Sequence, residues 1–156
     1  MAEITIATQR AIPAPAEAVY SLLADYHHDH PSILPPAFRD LTVLSGGTGE
    51  GTVFRIRMTL GGRSQVATMR VAEPEPGRVL SESDPESGIL TLFVVTPHHH
   101  ASLLQITTTI RPRRGPRGWI EGLLIPRLLR PVSMRLSSRP LAPSSTLTQS
   151  SIQLTT

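Results

Sequence analysis

Residues 3–12, EITIATQRAI, put Ile4 and Ile6 on one side and Thr5 on the other, the alternation of a strand. The period then lengthens. In PAPAEAVYSLLADY, Val19, Leu22, Leu23 and Tyr26 fall at i, i+3, i+4 and i+7, one face of a helix. Pro15 suits the first turn of that helix, where a missing N–H is no loss. Pro31, Pro35 and Pro36 stop any long continuation.

From Asp40 the period is two. LTVL (41–44) reads as a short strand closed by the turn signal GGTGEG. TVFRIRMTL (52–60) is the clearest strand: Phe54, Ile56, Met58 and Leu60 face one way, Arg55, Arg57 and Thr59 the other. Gly61-Gly62 predicts a tight hairpin turn. SQVATMRVAEPEPG (64–77) returns with Ala67, Met69 and Val71 on one side, followed by RVLSES (78–83), GILTLFVVT (88–96) and ASLLQITTTI (101–110). Strands at this spacing, joined by short turns, predict an antiparallel meander. WIEGLLIPRLLRPV then carries an apolar stripe of Ile120, Leu123, Leu124 and Leu128, kinked at Pro126 and ended near Pro131. The remainder is rich in Ser and Thr. The expectation is one domain over 1–138 and a loose or disordered tail over 139–156.

Composition narrows the function classes. A chain of 156 residues suffices for one domain with a core. Without cysteine, neither a disulfide nor a thiolate metal site is possible. No apolar run is long enough to span a bilayer, and MAEITIATQR has no leader pattern, so a cytoplasmic protein is expected, without stable membrane insertion. Every basic side chain is Arg. Residues 1–110 hold seven Arg against eleven acids, and residues 111–156 hold eight against Glu121 alone. A basic end of this kind can meet nucleic acid or an anionic surface. RPRRGPRGW lacks interleaved stacking aromatics beyond Trp119, so a solvated face plus a tail is the preferred reading and no nucleic-acid partner is expected.

The order is strand, helix, short helical segment, about six antiparallel strands, closing helix. With it go four local phrases: IPAPAEAVYSLLADY, HDHPSILPPAFRDLTVL, GGTGEGTVFRIRM and VAEPEPGRVLSESD. Together they resemble the helix-grip superfamily of START domains, birch-pollen-allergen-like proteins and polyketide cyclase/dehydrase proteins; the second phrase is similar to a bacterial subgroup's variant. The resemblance covers roughly residues 3–132. It implies an α+β helix-grip fold: a curved antiparallel sheet of six to seven strands around a long C-terminal helix, with short helices after the first strand. Fold does not fix activity here, because the superfamily hosts transporters, cyclases, hydrolases and plain binders. The chain departs from the pattern at its end, where acids vanish after Glu121 and Pro131 and Pro140 interrupt. An incomplete cover would expose apolar surface, which a homodimer would mask.

A sheet that grips a helix without collapsing onto it leaves a ligand cavity. Phe54, Ile56, Met58, Met69, Phe93 and Leu104 form the expected inward set, and ordinary core packing would explain each of them equally well. Tyr26, Leu34 and Phe38 are expected to bind the ligand too, Leu34 and Phe38 as part of the lid. Trp119 and Leu123 are expected on the closing helix. Arg127, four residues further on, is read as facing water. No cofactor is implied.

DYHHDHPSILPP (25–36) admits three readings. His27, His28 and His30 with Asp25 and Asp29 supply zinc-type ligands, but their spacing is poor for converging on one ion, so no metal is assigned. His28 or His30, oriented by Asp25 or Asp29, would supply acid–base chemistry near neutral pH. The preferred reading is structural: the polar residues cap the helix and form a wet rim, while Ser32, Ile33, Leu34 and Phe38 dip inward. His98, His99 and His100 are read as a solvated hairpin tip, and Glu73, Glu75 and Glu82 as surface charges. The function expected is binding, with transport as an extension, of a small hydrophobic or amphipathic molecule such as a lipid, fatty acyl or aromatic polyketide. A cyclase/dehydrase-type enzyme using His28 or His30 is the alternative.

Overall fold

Alternating apolar residues bury one face of a strand, and six successive runs of that kind build one antiparallel meander. In the computed structural model, which describes residues 3–60, 62–111 and 148–154, the strands are β1 (Ile4–Ile12), β2 (Phe38–Ser45), β3 (Val53–Leu60), β4 (Arg63–Glu75), β5 (Val79–Asp84), β6 (Ile89–His98), β7 (Ala101–Ile110) and β8 (Thr148–Leu154). Two helices, α1 (Ala16–Ala24) and α2 (Asp29–Ile33), lie between β1 and β2. The eight strands form one sheet in the order β2-β3-β4-β5-β6-β7-β1-β8, every neighbouring pair antiparallel. The sheet is open and curved. The long closing helix expected near 119–131 lies outside the described residues. Of the tail assigned to 139–156, residues 148–154 are described and run along β1, with Ile4 opposite Leu154 and Arg10 opposite Thr148.

Residues directly opposite across a ladder share a face, so the register assigns the buried side row by row. One row reads Ile6, Thr108, Thr91, Glu82, Val71. The next reads Thr8, Ile106, Phe93, Leu80, and the one beyond it Arg10, Leu104, Val95. On β3 and β4, Phe54 faces Met69 and Ile56 faces Ala67. One buried cluster joins Phe54, Ile56, Met69, Leu80, Phe93 and Leu104 to Val19, Tyr20, Leu23 and Ala24 of α1, to Tyr26 and to Ile33 of α2, while Ile6 packs with Ile110 in a second. The helices therefore cover one face of the sheet.

Helix α1 is shorter than the periodic stripe suggests. Asp25 is extended (φ −87°, ψ 93°), so Tyr26 reaches the core from outside the helix and Leu22 is only half-buried. The glycine-rich turn explains the stop. The amide of Tyr26 donates to the carbonyl of Gly47 (2.9 Å), that of Gly49 donates to Ala24 (3.0 Å), and Asp25 pairs with Thr48 as an isolated bridge. Gly47 has φ +134°, and a Cβ there would overlap the His27 ring, so only glycine lets the turn lie this close.

Candidate functional site

The stretch from 25 to 36 splits into an outer and an inner half. Asp25 Oδ1 accepts from the amides of His27 (3.0 Å) and His28 (3.1 Å), and the His28 ring sits 3.2 Å from Asp25 Oδ2. Desolvation works to raise the Asp25 pKa, but the hydrogen bonds from the His28 side chain and the two amides outweigh it and hold it below the usual carboxylate value. The His28 side chain is 81% exposed. His30 points the other way and is buried. The structure thus separates the two histidines that the acid–base reading had grouped. Among the described residues no cluster of His, Asp and Glu is arranged to hold a metal ion.

His30 belongs to an interior polar cluster. Its amide donates to the Asp25 carbonyl (2.8 Å), which turns the residue inward. Nδ1 lies 2.8 Å from the carbonyl oxygen of Leu23, an acceptor only, so Nδ1 carries the hydrogen. Nε2 lies 3.3 Å from Glu82 Oε1. Tyr26 donates its hydroxyl to the same Oε1 at 2.7 Å. Burial, then the charge of Glu82 and the bond to it, pushes the Tyr26 phenol well above its ordinary value, so it remains a donor.

Aromatic rings wall the cluster. Tyr26 stacks on His30 (centroids 4.5 Å apart) and on Phe54 (4.9 Å), and Phe93 meets His30 edge-on at 6.1 Å. Phe54, Ile56, Met58, Met69, Phe93 and Leu104 are all buried on this face, and Leu34 and Phe38 are half-buried against the same cluster. Trp119 and Leu123, like Arg127, lie outside the described residues. His98, His99 and His100 are exposed at the β6–β7 turn.

Glu82 was missed, and its reading as a surface charge is corrected here: it is 7% exposed. The signal was available. In RVLSES, Glu82 shares its period-two face with Leu80, and a strand that buries Leu80 must point Glu82 inward as well. Glu73 also has a structural task, accepting the Tyr20 hydroxyl and the amide of Glu50. Glu75 is exposed and pairs with Arg78. A groove of about 440 Å³ opens beside the glycine-rich turn, between Glu50 and Glu73, away from the interior cluster's His30.

A curved antiparallel sheet with helices packed on one face is the fold of the START and Bet v 1-like superfamily. Solved structures bear this out. The chain is similar to the KanY protein (25% identity, TM-score 0.74, covering 88% of this chain and 97% of that one). A START superfamily protein from Mycobacterium smegmatis shares the fold at 15% identity (TM-score 0.65, 85% and 97% covered). So does major latex-like protein 151 from Panax ginseng at 13% (TM-score 0.69, 90% and 99%). No curated protein matches the chain. Residues 3–138 match the profile of the family described as polyketide cyclase / dehydrase and lipid transport, and the chain belongs to that family. Both halves of that description require a small molecule to be held.

Proposed function

We propose that the protein binds, and in doing so can carry, a small hydrophobic or amphipathic molecule on the covered face of its sheet. The observation that carries this reading is the wall itself: Phe54, Ile56, Met58, Met69, Phe93 and Leu104 bury one apolar face around the cluster of Tyr26, His30 and Glu82. Apolar walls with few placed polar groups are the usual chemistry of small-molecule sites. The family description, which names lipid transport beside cyclase and dehydrase activity, supports the same reading. A lipid, a fatty acyl chain or an aromatic polyketide fits such a wall. Each Å² of apolar ligand surface taken from water would contribute about 25 cal/mol before the costs of association. The Trp119–Leu123 segment is proposed to close the site, with the long helix of the helix-grip pattern. Displacement of the neutral dye Nile red by a broad apolar panel tests the reading. Competitive displacement is expected, and failure of every member to displace the dye would overturn it.

One observation favours an enzymatic second reading. His30 and Glu82, 3.3 Å apart, are buried beside the apolar wall, where an acid–base step on a bound chain would need such a pair. Under this reading His30→Ala abolishes turnover of a cyclisable polyketide substrate. His28→Ala, at the exposed position, leaves turnover unchanged. Equal losses in the two variants would sink the enzymatic reading.

A further inference from the structure

The face of the sheet turned away from the helices carries the exposed residues of the same strands. On β3, Arg55 and Arg57 alternate with the buried Phe54, Ile56 and Met58. On β4, Val66, Thr68 and Arg70 alternate with the buried Ala67, Met69 and Val71. The ladders place Arg57 between Arg39 of β2 and Val66 of β4. Arg55 is opposite Thr68, and Arg70, opposite Val53, is diagonal to Arg55. Four guanidiniums therefore share one exposed face. Among the exposed residues of β2, β3 and β4 up to Ala72, Asp40 is the only acid, and it pairs with Arg57 at 2.9 Å. The chain up to residue 110 holds more acids than Arg, so this field is a segregation of charge and not a general excess of it. Like charges directly opposite across a ladder destabilise it. Arg39 and Arg57 stand in that arrangement, and an anionic partner would relieve it.

We propose that this outer face of β2, β3 and β4 docks on an anionic lipid surface. A guanidinium meets a phosphate through two parallel hydrogen bonds, and an exposed one does so at little desolvation cost. Val66 stands beside Arg57 and is 49% exposed, so apolar contact is available at the level of the charges, the combination that holds peripheral proteins at a bilayer interface. Among the described residues of these three strands no aromatic side chain is exposed, which leaves no stacking platform for single-stranded nucleic acid. The choice of a lipid surface over an acidic protein rests on the carrier function proposed above, because apolar cargo collects in membranes. Contact through the outer face holds the protein there and leaves the helix-covered face unobstructed.

Co-sedimentation of the full-length chain with vesicles tests the assignment, using phosphatidylcholine alone and phosphatidylcholine with about one-third phosphatidylserine. Binding is expected to the anionic vesicles only, and it should weaken as salt rises from about 0.05 M to about 0.3 M. The Arg-rich sequence beyond residue 110 adds to any such affinity, so paired variants decide. The double variant Arg55→Gln, Arg57→Gln removes two charges from the proposed face. The double variant Arg78→Gln, Arg111→Gln removes two from ion-paired positions elsewhere. The first should lose about ten- to thirtyfold in vesicle affinity and the second less than about threefold. Arg55→Lys, Arg57→Lys, which keeps the charge, should retain most of the binding. Urea unfolding midpoints establish that each variant is folded. Equal losses in the two charge-removing variants would reduce the effect to net charge and overturn the docking face, as would undiminished binding after loss of Arg55 and Arg57. A parent chain that ignores anionic vesicles but is retained on immobilised polyglutamate through Arg55 and Arg57 would overturn the lipid surface in favour of an acidic protein. Nile red displacement is read without vesicles, so failure of the carrier function and failure of the docking face are distinguishable.

Discussion

A single carboxylate organises the interior. Glu82 accepts from Tyr26 and contacts His30 through one oxygen, so each of the three side chains restricts the other two. Tyr26→Phe keeps the ring stack with His30 and Phe54 but removes one donor from a buried acceptor. It is expected to cost about 1–3 kcal/mol in urea unfolding, the penalty of an under-satisfied buried group. A change indistinguishable from zero would mean that the hydroxyl contributes nothing net. The six inward apolar residues could be read from alternation, whereas His30, read as part of a wet rim, is buried. Glu82 could not be read from residue type, because a glutamate in a hydrophilic-looking SES segment resembles a solvated one. Only the phase of the strand, set by Leu80, separates the two cases. No local pattern could have paired Glu82 with Tyr26, 56 residues away.

Element boundaries were legible wherever one periodicity acted alone. The β6 and β7 ladders, from Ile89↔Ile110 to His98↔Ala101, follow the sequence alternation closely. The end of α1 was not legible, since an apolar stripe continuing to Tyr26 is equally compatible with a helix and with a turn that drops the ring into the core. The glycine-rich turn decides it by bonding across to Ala24 and Tyr26. This junction yields a double-mutant test. Gly47→Ala should destabilise by about 1–3 kcal/mol through its positive φ and by a further clash with the His27 ring. His27→Ala alone should change little, because the ring is exposed. The double variant should recover the clash component and retain the backbone component. Strict additivity in chemical denaturation would refute the contact.

At the level of the whole chain, the titration chemistry is unusually sparse. There is no lysine and no cysteine, so the two tyrosines are the only side chains that ionise between about pH 9 and 12. Both are held above their ordinary value of 10.0, Tyr20 by burial and its bond to Glu73, Tyr26 by burial and the charge of Glu82. A raised folded-state value means that the folded chain keeps protons the unfolded chain releases. The stability this confers is complete below pH 10 and drains away as pH climbs above it. Alkaline unfolding should therefore start near pH 10, with tyrosinate absorbance rising together with loss of the sheet. The double variant Tyr20→Phe, Tyr26→Phe should show a flatter alkaline profile than the parent, whatever its stability at neutral pH. Tyrosinate appearing at pH 10 in a still-folded protein would contradict the burial of both hydroxyls.

The interior cluster also has a timetable. Tyr26 and His30 precede the meander, whereas Glu82 lies on β5, near its middle. On the ribosome the phenol and the imidazole are made long before the carboxylate that joins them. During synthesis the contact that finishes the interior is thus a closing bolt, set only after the first half of the chain has been made.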